Sequence, residues 1–215
     1  MAVIIGAASW EVYWNYIYQA PPVYAEIGTT YGPIYVELFA SCAPKTVSNF
    51  VGLAKSDFYN DLVWWRIVPG FVIQTGDPNT KGGVNSTRST WGTGGSNETV
   101  PLEVTKCPSL GNYAGYLGMA RQGNETSGLN TGTSQFYIVL DNSSTTESDL
   151  DGYYTVFGKV ISGMSVVCTI AKVPTYPDTG TSASLSPQPI TPVFMNNVTI
   201  VSKATAPTPQ PITNC

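Results

Sequence analysis

Residues 64–77 read WWRIVPGFVIQTGD, and no other stretch narrows the fold as much. A single arginine, Arg66, stands in a run of apolar and β-branched residues that Pro69-Gly70 divides in two. Two short β-rich runs around a Pro-Gly turn predict a pair of strands. Strand alternation then places Phe71 and Ile73 on one face and Val72 and Gln74 on the other. An uncompensated buried cation is costly. Arg66 therefore either keeps its head group in water at a strand edge or sits in a groove that uses its charge.

Composition sets the limits around this feature. A chain of 215 residues is long enough for one domain with a full hydrophobic core. Only 11% of it is charged, while Gly, Pro, Ser, Thr, Asn and Tyr are abundant, a balance that suits short strands and many turns. The net charge of −4, with no basic block, argues against nucleic-acid binding through phosphate neutralisation. With no histidine, Ser-His and Cys-His nucleophile pairs and His-ligated metal sites are excluded. Cys42, Cys107, Cys168 and Cys215 show no C-x-x-C spacing, so neither zinc nor thioredoxin-like chemistry is expected, and no cofactor is implied.

Four scattered cysteines together with N-x-[S/T] sequons at Asn85, Asn97, Asn124, Asn142 and Asn197 point to an extracytoplasmic, disulfide-bonded glycoprotein. Four cysteines allow three pairings, and sequence does not choose among them. The N-terminus is less simple. AVIIGAA at 2–8 is too short to span a bilayer, and no Lys or Arg precedes Lys45 to make the basic region of a secretory signal. WEVYWNYIYQ follows, and its crowding of Tyr and Trp suits a membrane interface or a protein contact.

Along the chain, residues 1–21 read as an extension, 22–203 as the folded domain and 204–215 as a Pro-rich tail. Residues 23–29 and 33–39 alternate like the arms of a hairpin. Pro44 opens a helix, with Val47, Phe50, Val51 and Ala54 on one apolar face. A second short helix is predicted from Met164 to Ala171. Further strands are predicted at 63–68, 71–75, 116–120, 136–140, 155–160 and 197–202. Eight strands and two helices suit a closed antiparallel barrel with a helix over each open end. Residues 174–192, rich in Pro, Ser and Thr, read as a surface excursion. The tail ends at Cys215, and a disulfide through that residue would pin it.

Five blocks carry a resemblance: ELFASCAPKTVSNFVGLA at 37–54, WWRIVPGFVIQTGD at 64–77, GYLGMAR at 115–121, NTGTSQFYIVL at 130–140 and LDGYYTVFGKVISGM at 150–164. In this order they resemble the cyclophilins, the β-barrel peptidyl-prolyl cis/trans isomerases. The resemblance implies a mainly β, closed eight-stranded antiparallel barrel capped by two short helices. It further implies Arg66 as the catalytic arginine, Gln74 as the glutamine that orients it, and Phe71 at the base of a proline pocket. Val72, Met119, Ala120, Arg121, Gln135, Tyr137, Leu150 and Tyr154 would line the substrate groove. The loops at 78–95 and 122–133 are longer than in the shorter family members, and Gly92-Thr93-Gly94-Gly95 fits a groove-edge loop better than a phosphate cradle. Asp77 and Glu103 fit structural roles better than a glycosidic carboxylate pair.

The departures from the family pattern matter as much. Trp65 replaces a histidine and is expected outside the pocket as a packing change. Val72 makes the floor smaller than the usual methionine, Tyr137 adds a hydroxyl to the usual phenylalanine, and Tyr154 replaces a histidine in one wall. Asp149 stands where a Trp or Phe usually contacts cyclosporin, which implies weak binding of that drug and a preference for basic or polar residues flanking the substrate proline. The resemblance thus implies an isomerase acting on X-Pro bonds of exported polypeptide clients and assisting their folding. The alternative is a non-catalytic binding module or subunit of a larger assembly that keeps only the fold.

Overall fold

A hairpin opens the domain. β1 (Val23–Thr29) pairs in register with β2 (Gly32–Leu38), and every second residue of each, from Ala25 and Ile27 to Ile34, Val36 and Leu38, is buried. The computed structural model describes residues 22–123, 128–177 and 187–215. The N-terminal extension, the sequon at Asn124 and part of the 174–192 excursion lie outside these. α1 (Pro44–Lys55) follows, with Pro44 in its first turn. Ala43 offers it no side-chain cap. Glu103 takes over that task from a distant loop, accepting from Lys45 N (3.2 Å), Thr46 N (2.9 Å) and Thr46 Oγ1 (2.9 Å). A carboxylate there satisfies orphan N–H groups and complements the helix dipole. The structural role expected of Glu103 is this cap.

The sheet then continues through β3 (Leu62–Val63), β4 (Arg66–Val68), β5 (Val72–Thr75), β6 (Tyr116–Met119), β7 (Phe136–Val139), β8 (Val156–Ser162) and β9 (Phe194–Val201). Its order is β3-β9-β1-β2-β8-β6-β7-β5-β4, nine strands in one curled sheet. The expected closed eight-stranded barrel is corrected on this point. The strand predicted at 63–68 changes partners midway: Val63 pairs with Phe194 in β9, whereas Arg66 pairs with Gln74 in β5. Trp64 and Trp65 span the gap, so β3 and β4 form the two edges of the sheet and do not pair with each other.

Helices are also more numerous than expected. α2 (Ser144–Leu150) was not foreseen, and α3 (Met164–Ile170) matches the second predicted helix. Two 3₁₀ segments, Pro78–Gly83 and Asn85–Thr90, order the first long loop. α1 lies against β9 and α3 against β2. Inside the curl, Phe50 from α1 meets Tyr59, Phe136 and Phe157 at ring-centroid distances of 5.2, 5.4 and 5.5 Å, and Trp64 meets Phe136 edge-on at 6.0 Å. Tilted and edge-to-face ring contacts of this kind add to what the buried area alone contributes.

Two disulfides settle the pairing left open by the sequence. Cys42–Cys107 joins the entry to α1 with the loop that carries Glu103, and Cys168–Cys215 joins α3 to the tail. The tail is pinned along its length. Gln210 N donates to Ile161 O (2.8 Å) and Cys215 N to Leu140 O (2.9 Å), while Ile212 covers Gly115. Elsewhere, Arg88 is buried and clasps the first long loop to the later one, donating to Pro189 O (2.8 Å) and Ile190 O (3.0 Å) and lying over the Trp91 ring.

Candidate active site

Strand alternation builds the site on the outer face of the curl. Ile67, Ile73, Leu117, Met119, Phe136 and Ile138 point into the core. Their neighbours point the other way, and strand register lines them up in rows. Arg66 sits opposite Gln74, Gln74 opposite Tyr137 and Tyr137 opposite Gly118, so one row crosses β4, β5, β7 and β6. The next row is Val68, Val72 and Val139. Residues opposite one another in antiparallel strands share a face.

Val72, Tyr137, Val139 and Leu150 form a second, smaller apolar cluster separate from the core, with Phe71, Ala120 and Tyr154 half-buried against it. Arg66 stands at its rim, its guanidinium carbon 5.7 Å from the centre of the Phe71 ring. Burial lowers the pKa of Arg66, and the neighbouring Tyr154 phenol opposes that shift. Among the described residues, no side chain or carbonyl accepts a hydrogen bond from this guanidinium. Partly desolvated and without an acceptor among the described residues, it is a donor beside an apolar patch.

Phe71 corrects a reading. Expected on the face of Ile73, it packs with Val72 instead, because it belongs to the turn before β5 begins and is not yet bound by strand alternation. Met119 is the converse. It lies within β6 at a core-facing position and is buried in the main core, so it does not line the groove; Gly118 and Ala120 do. Arg121 lies over the Tyr154 ring at 5.1 Å and donates through Nε to Tyr153 O. Tyr154 in turn meets Tyr137 edge-on at 5.8 Å.

The added hydroxyl of Tyr137 is accommodated by two other residues. It donates to Asn112 Oδ1 at 2.8 Å, and Asn112, itself buried, donates through its backbone N (2.7 Å) and Nδ2 (2.9 Å) to Asp151. The ring leans into space that only a glycine leaves open: a Cβ at Gly118 would lie 2.1 Å from Tyr137 Cζ. Burial raises the Tyr137 pKa well above the usual tyrosine value, with the Tyr154 and Asp151 charges adding to the rise. The phenol is therefore a neutral donor at ordinary pH.

Trp65 also departs from expectation, since it reaches the groove wall. Its Nε1 donates to Gln135 Oε1 at 3.1 Å, and the ring sits so close to Gly92 that a Cβ there would come within 2.5 Å of it. Gln74 Nε2 donates to the same Gln135 oxygen at 2.9 Å. Gln135 Nε2 donates to Gly92 O (3.1 Å) and Gly94 O (2.7 Å). Asp77 holds the other side of that Gly-rich turn, accepting from the backbone of Asn79, Gly92 and Gly94, which is its structural role. A cavity of about 210 Å³ opens between this turn and Ala120, Arg121, Thr131 and Thr133. Of the residues expected at the site, Arg66, Phe71, Val72, Gln74, Ala120, Arg121, Gln135, Tyr137, Leu150 and Tyr154 thus come together. Trp65, Asn112 and Gly118 were not foreseen. For Gly118 and Tyr137, period-two counting along β6 and β7 was the available signal.

Known proteins resemble this chain in both sequence and fold. The sequence profile of the cyclophilin type peptidyl-prolyl cis-trans isomerase/CLD family matches residues 24–200. A peptidyl-prolyl cis-trans isomerase of Acinetobacter baylyi is 38% identical over 151 residues, 70% of this chain and 72% of that one. One from Helicobacter pylori is 39% identical over 147 residues, covering 68% and 78%. The chain also matches 25% of the length of a Rhizopus delemar peptidyl-prolyl cis-trans isomerase-like 2, at 38% identity. In structure it is similar to a cyclophilin type isomerase of Cryptosporidium parvum, with TM-score 0.68 and 29% identity over 85% of this chain and 99% of that one. The same Cryptosporidium protein has been solved in the presence of the dipeptide Ala-Pro. The chain belongs to the cyclophilin-type peptidyl-prolyl cis-trans isomerases.

Proposed function

We propose that this chain is a working prolyl isomerase that acts on X-Pro bonds of extracytoplasmic polypeptides and assists their folding. The observation that carries the reading is Arg66, partly desolvated and without a hydrogen-bond acceptor among the described residues, beside Phe71 at the rim of the apolar cluster. Rotation about an X-Pro bond faces a barrier of about 18–20 kcal/mol, because the planar amide must lose its resonance. In the twisted state the proline nitrogen becomes pyramidal and regains a lone pair. A donor that meets this lone pair, or the rotated carbonyl, only when the amide is twisted stabilises the transition state selectively. Phe71 and the half-buried Ala120 and Tyr154 offer the proline ring an apolar seat above Val72 and Leu150 and so supply positioning. No proton transfer, nucleophile or metal enters these steps.

A protease-coupled assay on an Ala-Pro peptide tests the reading. Loss of one preorganised donor costs about 10²–10³-fold in mutated sites of this kind. Arg66→Ala is therefore expected to lower kcat/KM by about a hundredfold with the fold intact. Absence of turnover in the parent protein would leave only a binding module.

Two disulfides, together with exposed sequons at Asn85, Asn97, Asn142 and Asn197, support export. The Tyr- and Trp-rich segment at 1–21 supports a protein or membrane-proximal contact. Among the described residues, no helix is long and apolar enough to cross a membrane. Intact mass before and after reduction, measured on protein recovered from its own cells, tests both modifications. Free thiols and unmodified asparagines would remove the case for export. Asp149, exposed beside Leu150, presents a carboxylate where cyclosporin needs an aromatic surface, so binding of that drug is expected to be weak and to strengthen in Asp149→Trp. Calorimetry that finds tight binding to the parent would refute this.

A further inference from the structure

Four hydrogen bonds around Gln135 fix which way two amides point. The indole N–H of Trp65 can only donate, and the main-chain oxygens of Gly92 and Gly94 can only accept. Gln135 lies between them and receives Trp65 on its Oε1 at 3.1 Å, while its Nε2 serves Gly92 and Gly94 at 3.1 and 2.7 Å. Flipping this amide would set nitrogen against an N–H on one side and oxygen against two oxygens on the other. The orientation is thus dictated by partners that have no alternative tautomer or rotamer of their own. Gln74 meets the same Gln135 oxygen at 2.9 Å and must present its nitrogen there. Its own Oε1 is left as the free end of the amide, and among the described residues no donor takes it. Gln74 stands directly across the β4–β5 register from Arg66.

We propose that Trp65 is a positioning residue for the isomerase reaction. Through Gln135, its indole N–H holds the Gln74 carbonyl outward as an acceptor for the Arg66 guanidinium or for a client backbone N–H. This rests on the isomerase reading given above. Gln135 itself, with both polar atoms doubly bonded within the protein, acts as the hub of the relay and does not need to touch the client. A residue without a donor at position 65 removes one of the two groups that define the oxygen side of Gln135. The Gln74 amide can then rotate and spend part of its time offering N–H groups to a cation.

The test is a double-mutant cycle on the full chain with W65F, Q74A and W65F/Q74A, read as kcat and KM on an Ala-Pro peptide together with thermal melting. W65F is expected to lower kcat/KM about 3–10-fold, the weight of one hydrogen bond, with the larger share in kcat. In the Q74A background, W65F is expected to have no further effect, because the group through which it acts is gone. Equal effects of W65F in both backgrounds, or full activity of W65F, would overturn the proposal. A parent protein without turnover would refute the isomerase reading instead. Side-chain amide NMR still reports the relay in that case: unchanged Gln74 and Gln135 amide resonances in W65F overturn the claim by themselves.

Discussion

Replacing Tyr137 by Phe removes a single oxygen atom, yet the structure assigns it a measurable weight. The hydroxyl donates to Asn112 Oδ1 at 2.8 Å, and both residues are almost wholly buried. Water cannot replace the lost donor without opening the site. A buried acceptor left without a partner costs about 1–3 kcal/mol, beyond which the small void beside Gly118 adds little. Tyr137→Phe is therefore expected to destabilise the protein by about 2 kcal/mol. For a chain of this size, with a urea slope of about 2 kcal/mol/M, the unfolding midpoint should fall by about 1 M. Urea titration with the disulfides intact, followed by tryptophan fluorescence, measures this directly. The ring that floors the apolar cluster stays in place, so kcat/KM is expected to fall by less than tenfold. A midpoint within about 0.2 M of the parent would refute the hydrogen-bond argument. A hundredfold loss of turnover would show that the hydroxyl takes part in the chemistry.

Other outcomes follow from neighbouring features. Gly118→Ala forces the Tyr137 ring to move, an overpacking cost of about 1–3 kcal/mol. Adding Tyr137→Phe unties the ring from Asn112, so the double variant should lose less stability than the two single losses summed; simple additivity in urea would count against the close approach. At high pH the raised pKa of Tyr137 favours the unfolded state, whose tyrosine ionises near pH 10 while the folded one stays neutral. The contribution is complete below about pH 10 and fades as pH climbs toward the higher folded value. Stability above pH 10 should thus fall less steeply in Tyr137→Phe, by about 1.4 kcal/mol per pH unit; parallel profiles would refute it. Replacing both Cys168 and Cys215 by Ala opens a loop with a sequence separation of 47 and is expected to cost about 2–4 kcal/mol. Limited proteolysis should then release the tail first, and an equally resistant tail would show that its backbone contacts suffice.

Much of the groove could be read from the chain because its residues come in short, ordered blocks. Arg66, Phe71, Gln74 and Leu150 fall where those blocks place them, and α1 and α3 follow from Pro44 and from the apolar spacing after Gly163. The misses have physical causes. Block likeness put Met119 beside Ala120 in the groove, whereas the two-residue period of β6 sends it to the core. Trp65 looked like packing because a sequence does not show that an indole N–H arrives at a glutamine 70 residues away. α2 offers Leu150 as its one buried apolar side chain, so periodicity was silent. Its start is marked only by Ser143 Oγ accepting from Thr146 N at 3.2 Å and by the Asp141 contacts around it. The change of partner at Trp64-Trp65 leaves no trace in composition, which is why one strand was expected where two occur. Cysteine pairing depends on three-dimensional proximity alone.

The close fit of Tyr137 over Gly118 also constrains the route by which such a groove could arise from one floored by phenylalanine. A tyrosine arriving first would drive its ring into whatever side chain occupied position 118, at 2.1 Å from the site of the missing Cβ. A glycine arriving first would leave only a shallow gap, tolerable at about 1 kcal/mol, which the incoming phenol then fills. Ancestral reconstructions of this lineage should therefore find the glycine before the tyrosine, and transplanting the tyrosine alone into a relative with a bulkier residue there should fail.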